Sequence, residues 1–291
     1  MADAAPPGLP ADWPHRAASR VVASPPHRWH VQDMGTGPAI VMLHGAGGAG
    51  HSWRGLMPLL APRYRVIVPD LPGHGFTRIG ARGRAGIDAM AEDLARLCAT
   101  LGVAPVAVIG HSAGAALALR LAEILPDPPR AVVGINAALG AFEGVAGLLF
   151  PLLARALTVT PFVPHLVARL TGSSDRIRAL LASTGSPPDD AAVALYRALV
   201  ARPDHVDGTL AMMAQWRLEP LLERLPRMAL PVLLIAATGD RTVPAAVSAR
   251  AADRLPQGSC ARIEGRGHLV QEEDPAAVAA LIGPFLDRHG A

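Results

Sequence analysis

A chain of 291 residues can form one large domain carrying an insertion and bury a substantial core. Its 51% hydrophobic residues, with charges spread along the whole length, argue against disorder. The net charge of +3 rests on a basic set made of Arg without Lys, scattered among acids and apolar residues as at Arg176, Arg178, Arg197 and Arg202, so no nucleic-acid-binding stripe is expected.

Near the start of the chain, Pro6, Pro7, Asp12 and Trp13 stand where a secretory leader would need a basic start and an apolar run, so a cytoplasmic placement is expected, with a peripheral membrane contact left open. Short β-branched runs then alternate with helix-like segments, which predicts an α/β fold built on a mostly parallel eight-stranded sheet. Strands are predicted at Arg20–Ala23 and Trp29–Gln32 as an antiparallel edge, then at Ala39–Leu43, Arg65–Val68, Val106–Ile109, Ala131–Ile135, Val232–Ala236 and Ala261–Ile263. Helical spacing of apolar residues predicts helices at Ile87–Leu101, Ala113–Ile124, Val243–Leu255 and Pro275–Arg288.

Between Ile135 and Val232 the alternation stops, and amphipathic segments are separated by Pro161, Pro164, Pro187, Pro188 and Pro203. This divides the chain into a core (1–138), a helical cap inserted after the sixth strand (139–228) and the rest of the core (229–291), with the cap over the sheet's C-terminal edge, where open α/β folds bind ligands. The apolar stretch Ala131–Ala154 is broken by Glu143 and Pro151, so no transmembrane segment is expected. Cys98 and Cys260 lie far apart in no metal-ligand spacing and read as reduced apolar side chains.

The chemistry concentrates where strands end. Gly110-His111-Ser112-Ala113-Gly114 follows one predicted strand and opens the next helix, the context of a nucleophile elbow, whose sharp turn needs small residues on both sides of the serine. The five-residue pattern alone is common; its placement carries the weight. A serine hydroxyl needs a base to take its proton and a carboxylate to orient that base. Asp240 and His268 each follow a later strand, in the order Ser, acid, His, and so lie at the same sheet edge. The oxyanion donors would be the N–H groups of Ala113 and of Ala46, with Gly47 next, in the loop His44-Gly45-Ala46-Gly47-Gly48.

The same loop offers a rival. Gly45 to Gly50 matches G-x-G-x-x-G, with Asp70 twenty positions further on, as in dinucleotide binding. That reading leaves Ser112, Asp240 and His268 unexplained, and the segment after Gly50 is broken at Pro58. Asp70 to Gly75 reads as a turn, and His44, His51 and His74 read as structural. No His/Glu pair has zincin spacing, so neither metal nor cofactor is expected.

Together His44-Gly45, Asp70 to Gly75, Gly110 to Gly114, Gly239-Asp240 and Gly267-His268 resemble the α/β-hydrolase superfamily from about Trp29 onward. A narrower resemblance runs through Asp12-Trp13-Pro14, Arg16 to Arg20, Arg28 to Gln32, His51 to Arg54, Gly110 to Ala116 and Met212 to Trp216. These residues are similar to the accessory proteins of magnesium chelatase in bacteriochlorophyll biosynthesis. That likeness implies a role near insertion of Mg into protoporphyrin IX, with magnesium chelatase as a partner. It supplies no reaction, because chelation is attributed to a separate ATP-dependent complex.

Carbon–carbon hydrolases tend to carry Asn before the nucleophile and Trp after the histidine, where this chain has His111 and Leu269; haloalkane dehalogenases use Asp where it has Ser112. The resemblance therefore implies serine-hydrolase chemistry of esterase or perhydrolase type on a small-molecule carbonyl substrate. Gly45, Gly47, Trp53, His111 and Leu269 from the core are candidate substrate contacts. Phe150, Met213 and Trp216 from the cap either line an apolar pocket, suited to a tetrapyrrole ester, or pack the cap onto the core. The alternative function is a non-catalytic tetrapyrrole- or chelatase-binding protein with a vestigial hydrolase site.

Overall fold

The computed structural model describes residues 5–140 and 173–291. Eight strands form one sheet: β1 (Ser19–Ser24), β2 (His27–Met34), β3 (Ala39–Leu43), β4 (Arg65–Pro69), β5 (Ala107–His111), β6 (Ala131–Ile135), β7 (Val232–Ala237) and β8 (Gly258–Ile263). Their order is β1-β2-β4-β3-β5-β6-β7-β8. β2 pairs antiparallel with both β1 and β4, and every other pairing is parallel.

Side-chain alternation decides which layer each strand residue joins. Val41, Leu43, Ile67, Val108, Val132 and Leu234 point to one face, where they meet helices α2 (Ile87–Thr100) and α3 (Ala113–Ile124). Ile40, Met42, Val66, Val68, Ile109, Val133 and Ile235 point to the other, against the short α1 (Met57–Leu60) and the last long helix, Pro275–Arg288. Burial on both faces is why the central strands read as unbroken apolar runs.

The described part of the insertion between β6 and β7 is helical: α4 (Ser174–Ser183), α5 (Asp190–Val200), α6 (Pro203–Gln215) and α7 (Glu219–Arg224). Ser173 caps α4 by accepting the Arg176 N–H, Asp189 caps α5 by accepting the Ala192 N–H, and Pro203 opens α6 at the position where its missing N–H costs nothing. After β7 come α8 (Ala245–Arg254), α9 (Val270–Glu273) and α10 (Pro275–Arg288). Ile177, Leu181, Val193 and Tyr196 of the insertion pack around Leu269 of the core. Leu9 and Trp13 pack with Phe76 and with Leu199 of α5, so the N-terminal segment touches core and insertion together.

Predicted and observed bounds coincide for β3, β6, α3 and α10. β2 runs two residues further at each end, β8 starts three residues earlier, and α8 starts only after Pro244, its N-cap. Phe150, Pro161 and Pro164 lie outside the described residues. Among the described residues no helix is long and apolar enough to cross a membrane.

Candidate active site

Ser112 stands between β5 and α3 with φ 53° and ψ −119°, a backbone state that costs a residue with a β-carbon about 1–3 kcal/mol. The surroundings hold it there. Its N–H donates to the Ile135 carbonyl at 2.9 Å, and its own carbonyl accepts the Ala115 and Ala138 N–H groups, each at 3.1 Å. The flanking glycines are sterically required: a Cβ on Gly110 would stand 2.1 Å from the Gly114 carbonyl oxygen, and one on Gly114 would stand 2.2 Å from that of Leu43.

Ser112 Oγ lies 3.1 Å from His268 Nε2, and His268 Nδ1 lies 2.7 Å from Asp240 Oδ2. The other oxygen of Asp240 accepts the Thr242 and Val243 N–H groups at 2.7 and 2.8 Å, so the carboxylate cannot rotate away from the imidazole. With an ionised Asp240 accepting from Nδ1–H, Nε2 is left to accept the Ser112 hydroxyl proton. Asp240 and His268 are 9% and 7% exposed, which shields the relay from competing water.

Two side chains hold the carbonyl of His268. Asn136 Nδ2 donates to the carbonyls of Gly267 and His268 at 3.0 and 2.9 Å, while its Oδ1 accepts the Ala237 N–H at 2.7 Å. Asn136 itself has φ 45°, a conformation Asn tolerates better than most residues. One amide thus joins the end of β6 to β7 and to the histidine loop. Sequence reasoning missed it; the available signal was an Asn closing an apolar strand. His111 Nε2 bonds the same His268 carbonyl at 2.8 Å. Burial, and then the neighbouring His268 ring, hold the His111 pKa well below the usual histidine range, so a neutral ring donates there.

Gly45 brings the next loop against the serine: a Cβ on it would lie 3.0 Å from His111 Nδ1 and 3.1 Å from Ser112 Cβ. His44 Nε2 accepts the Leu71 N–H at 2.9 Å, which leaves Nδ1–H to donate to the Gly45 carbonyl at 2.8 Å. Further along, Asp70 Oδ1 accepts the Gly50 N–H at 2.7 Å. Its Oδ2 accepts His30 Nδ1–H at 2.7 Å and the Phe76 N–H at 2.8 Å. Burial would raise the Asp70 pKa, but the attraction and hydrogen bond of His30, then His44 and the Phe76 N–H, outweigh it and hold the carboxyl below the usual range. That carboxylate is fully buried and committed, so it cannot grip a ribose. A 3-10 turn at Gly50–Trp53 and the four-residue α1 follow, instead of the long helix a dinucleotide site needs.

The other expected contacts fall in different places. Ala46 is exposed beside Gly45, and Ala113, as the first residue of α3, has no carbonyl one turn back to receive its N–H. Gly47 has φ +73°, and its carbonyl accepts from His205 of α6 at 3.2 Å. Leu269 is half-buried and packs against the insertion, Met213 is half-buried on α6, and Trp216 packs against the core from the end of α6. Two expectations are corrected. Trp53 is 0% exposed in the apolar layer with Met42 and Leu56, because its turn faces inward, and so it is not at the site. His111 is 3% exposed and is turned toward the His268 carbonyl, so it supports the histidine instead of facing a substrate.

The α/β hydrolase fold family matches residues 38–275. The chain is 54% identical over 284 residues, 97% of its own length and 98% of the relative's, to the magnesium-chelatase 30 kDa subunit of Rhodobacter capsulatus. It is 30% identical over 243 residues, 82% of its length and 91% of the relative's, to a pimeloyl-[acyl-carrier protein] methyl ester esterase of Xanthomonas oryzae pv. oryzae. Among solved structures, the epoxide hydrolase CorEH superposes with a TM-score of 0.78 at 21% identity, covering 93% of this chain and 98% of that one. The family match over most of the chain, the sheet order and the elbow at Ser112 agree: the chain belongs to the α/β hydrolase fold family.

Proposed function

We propose that the protein is a serine hydrolase of ester or related carbonyl substrates, with Ser112 as nucleophile, His268 as general base and Asp240 orienting the histidine. The fold alone would not carry this reading. Its support is the continuous chain of contacts from Ser112 Oγ through His268 to Asp240, held on a strained elbow at the C-terminal edge of the sheet.

In this reading the Ser112 oxygen bonds to the substrate carbonyl carbon as its proton passes to His268 Nε2. The oxyanion is received by the N–H groups of Ala46 and Ala113. The tetrahedral adduct collapses, the bond to the leaving oxygen breaks, and that oxygen takes the proton from His268. Water, deprotonated by His268, then attacks the acyl-enzyme and releases the acid and the free serine. Residues 139–228 act as the cap, with Met213 and Leu269 facing the substrate. The 54% identical relative's name supports a working place beside magnesium chelatase, and hence a tetrapyrrole ester as substrate class.

The test is labelling with a fluorophosphonate probe, read by intact mass, on wild type, Ser112→Ala and His268→Ala. One adduct on the wild type and none on either variant is expected. Labelling of Ser112→Ala at the wild-type rate would sink the assignment. An unlabelled wild type that nevertheless changes its tryptophan fluorescence on titration with protoporphyrin IX would favour the binding reading, to which the relative's description as a chelatase subunit also lends support.

A further inference from the structure

The insertion sends one short turn into the gap between the loop that carries Asp240 and the loop that carries His268. At the end of α4 the chain passes through Thr184, Gly185 and Ser186. The Thr184 carbonyl accepts two N–H groups, that of Arg241 at 3.1 Å and that of His268 itself at 3.3 Å. A single carbonyl oxygen from the insertion therefore ties the residue after the acid to the base.

The approach is close enough to need three glycines. A Cβ on Gly185, which has φ +91°, would stand 2.2 Å from the Gly239 carbonyl oxygen. One on Gly267 would stand 2.2 Å from the Gly185 carbonyl carbon, and one on Gly239 would stand 2.8 Å from the Arg266 carbonyl oxygen. Atoms on the far side of each glycine are backbone and cannot swing aside. Ser186, 2% exposed, completes the joint: its Oγ donates to Glu273 Oε1 and accepts the Leu269 N–H at 2.8 Å. Glu273 Oε1 in turn accepts the Gly267 N–H at 3.0 Å. The N–H groups of residues 267, 268 and 269 are thus all bonded to this turn or to its glutamate partner.

We infer that Thr184-Gly185-Ser186 is a positioning element that sets the spacing of His268 and Asp240. This rests on reading those two residues as base and orienting acid. These residues act through the two loops, to which their hydrogen bonds run. The insertion is then a structural member of the relay and not only a cover, and displacing α4 would loosen the imidazole.

The test compares wild type with Ser186→Ala, Ser186→Thr and Gly185→Ala. Two quantities are read: the second-order rate of fluorophosphonate labelling, and the far-downfield proton resonance of the His268 Nδ1–H to Asp240 bond. Ser186→Ala is expected to fold, to lose or broaden that resonance and to label about 10- to 100-fold more slowly. Ser186→Thr, which keeps the hydroxyl, should restore both toward wild type. If Gly185→Ala fails to fold, Ser186→Ala still decides. A wild-type resonance and rate in Ser186→Ala overturns the proposal, whatever happens to its thermal midpoint, and so does absence of the resonance from the wild type. Should the wild type take no label, the serine-hydrolase reading fails, and the resonance alone supports or overturns the positioning role.

Discussion

Acid should unlatch the insertion through His205. This residue sits on α6, where Nδ1 accepts the Gly75 N–H at 3.0 Å and the other nitrogen donates to the Gly47 carbonyl. Both bonds need a neutral ring. Burial, then the neighbouring His44 ring and the Arg202 guanidinium, lower its pKa to about 4, although Asp70 and the Gly47 carbonyl oppose the shift. In the unfolded chain the ring titrates near 6.5, so its contribution is intact above that pH and is lost as pH falls from 6.5 toward 4. The loss worked from these two values is ~2 kcal/mol at pH 5 and ~3 kcal/mol at pH 4. His205→Gln keeps an acceptor and a donor but cannot take the proton. In urea unfolding followed by tryptophan fluorescence it should be weaker than wild type by ~1–2 kcal/mol at pH 7. Between pH 7 and 5, however, it should lose ~2 kcal/mol less than wild type. The other buried histidines titrate in both proteins and cancel in the comparison. Equal losses in the two proteins would refute the reasoning.

Gly114→Ala places a Cβ against the Leu43 carbonyl with backbone on both sides; it should cost ~3 kcal/mol or more, and an unchanged urea midpoint would contradict the steric argument. Asn136→Ala leaves the buried Ala237 N–H and the Gly267 carbonyl short of partners, for a loss of ~2–4 kcal/mol and slower fluorophosphonate labelling of the variant that does fold. Tyr196→Phe removes the hydroxyl that donates to Glu272 at 2.7 Å while Arg54 still pairs with that carboxylate, so thermal unfolding should register ~1–2 kcal/mol and labelling should barely change.

What could be read from the residues followed from how local each signal is. β3 and β6 are short apolar runs bounded by turn residues, and α3 opens at the serine after a strand, so their limits are written in adjacent positions. β8 is an edge strand exposed along much of its length, and Gly258, Ser259 and Cys260 at its start give no apolar pattern to read. The order of Ser112, Asp240 and His268 was legible because each follows a strand that enters the sheet from the same side. Asn136 and Thr184-Gly185-Ser186 were not legible. Each looks locally like a strand end or a helix stop, and its partners lie far along the chain. Trp53 misled for the converse reason: an aromatic residue near a glycine-rich loop resembles a pocket wall until the layer beneath it is known.

Those distances along the chain bear on folding. His268 meets Ser112 across 156 positions, the carbonyl of His268 meets His111 across 157, and the same carbonyl meets Asn136 across 132. Such contacts pay their loop-closure entropy late, so they belong to the slow end of the folding reaction. During synthesis the elbow needs β6 and Ala138 as well as β3, β5 and α3 to hold it, and Ser112 has no imidazole beside it until residue 268 has been made. In the proposed mechanism a nascent or partly folded chain therefore lacks the means to activate Ser112, and reactivity arrives only once the loop after β8 has joined the sheet's edge.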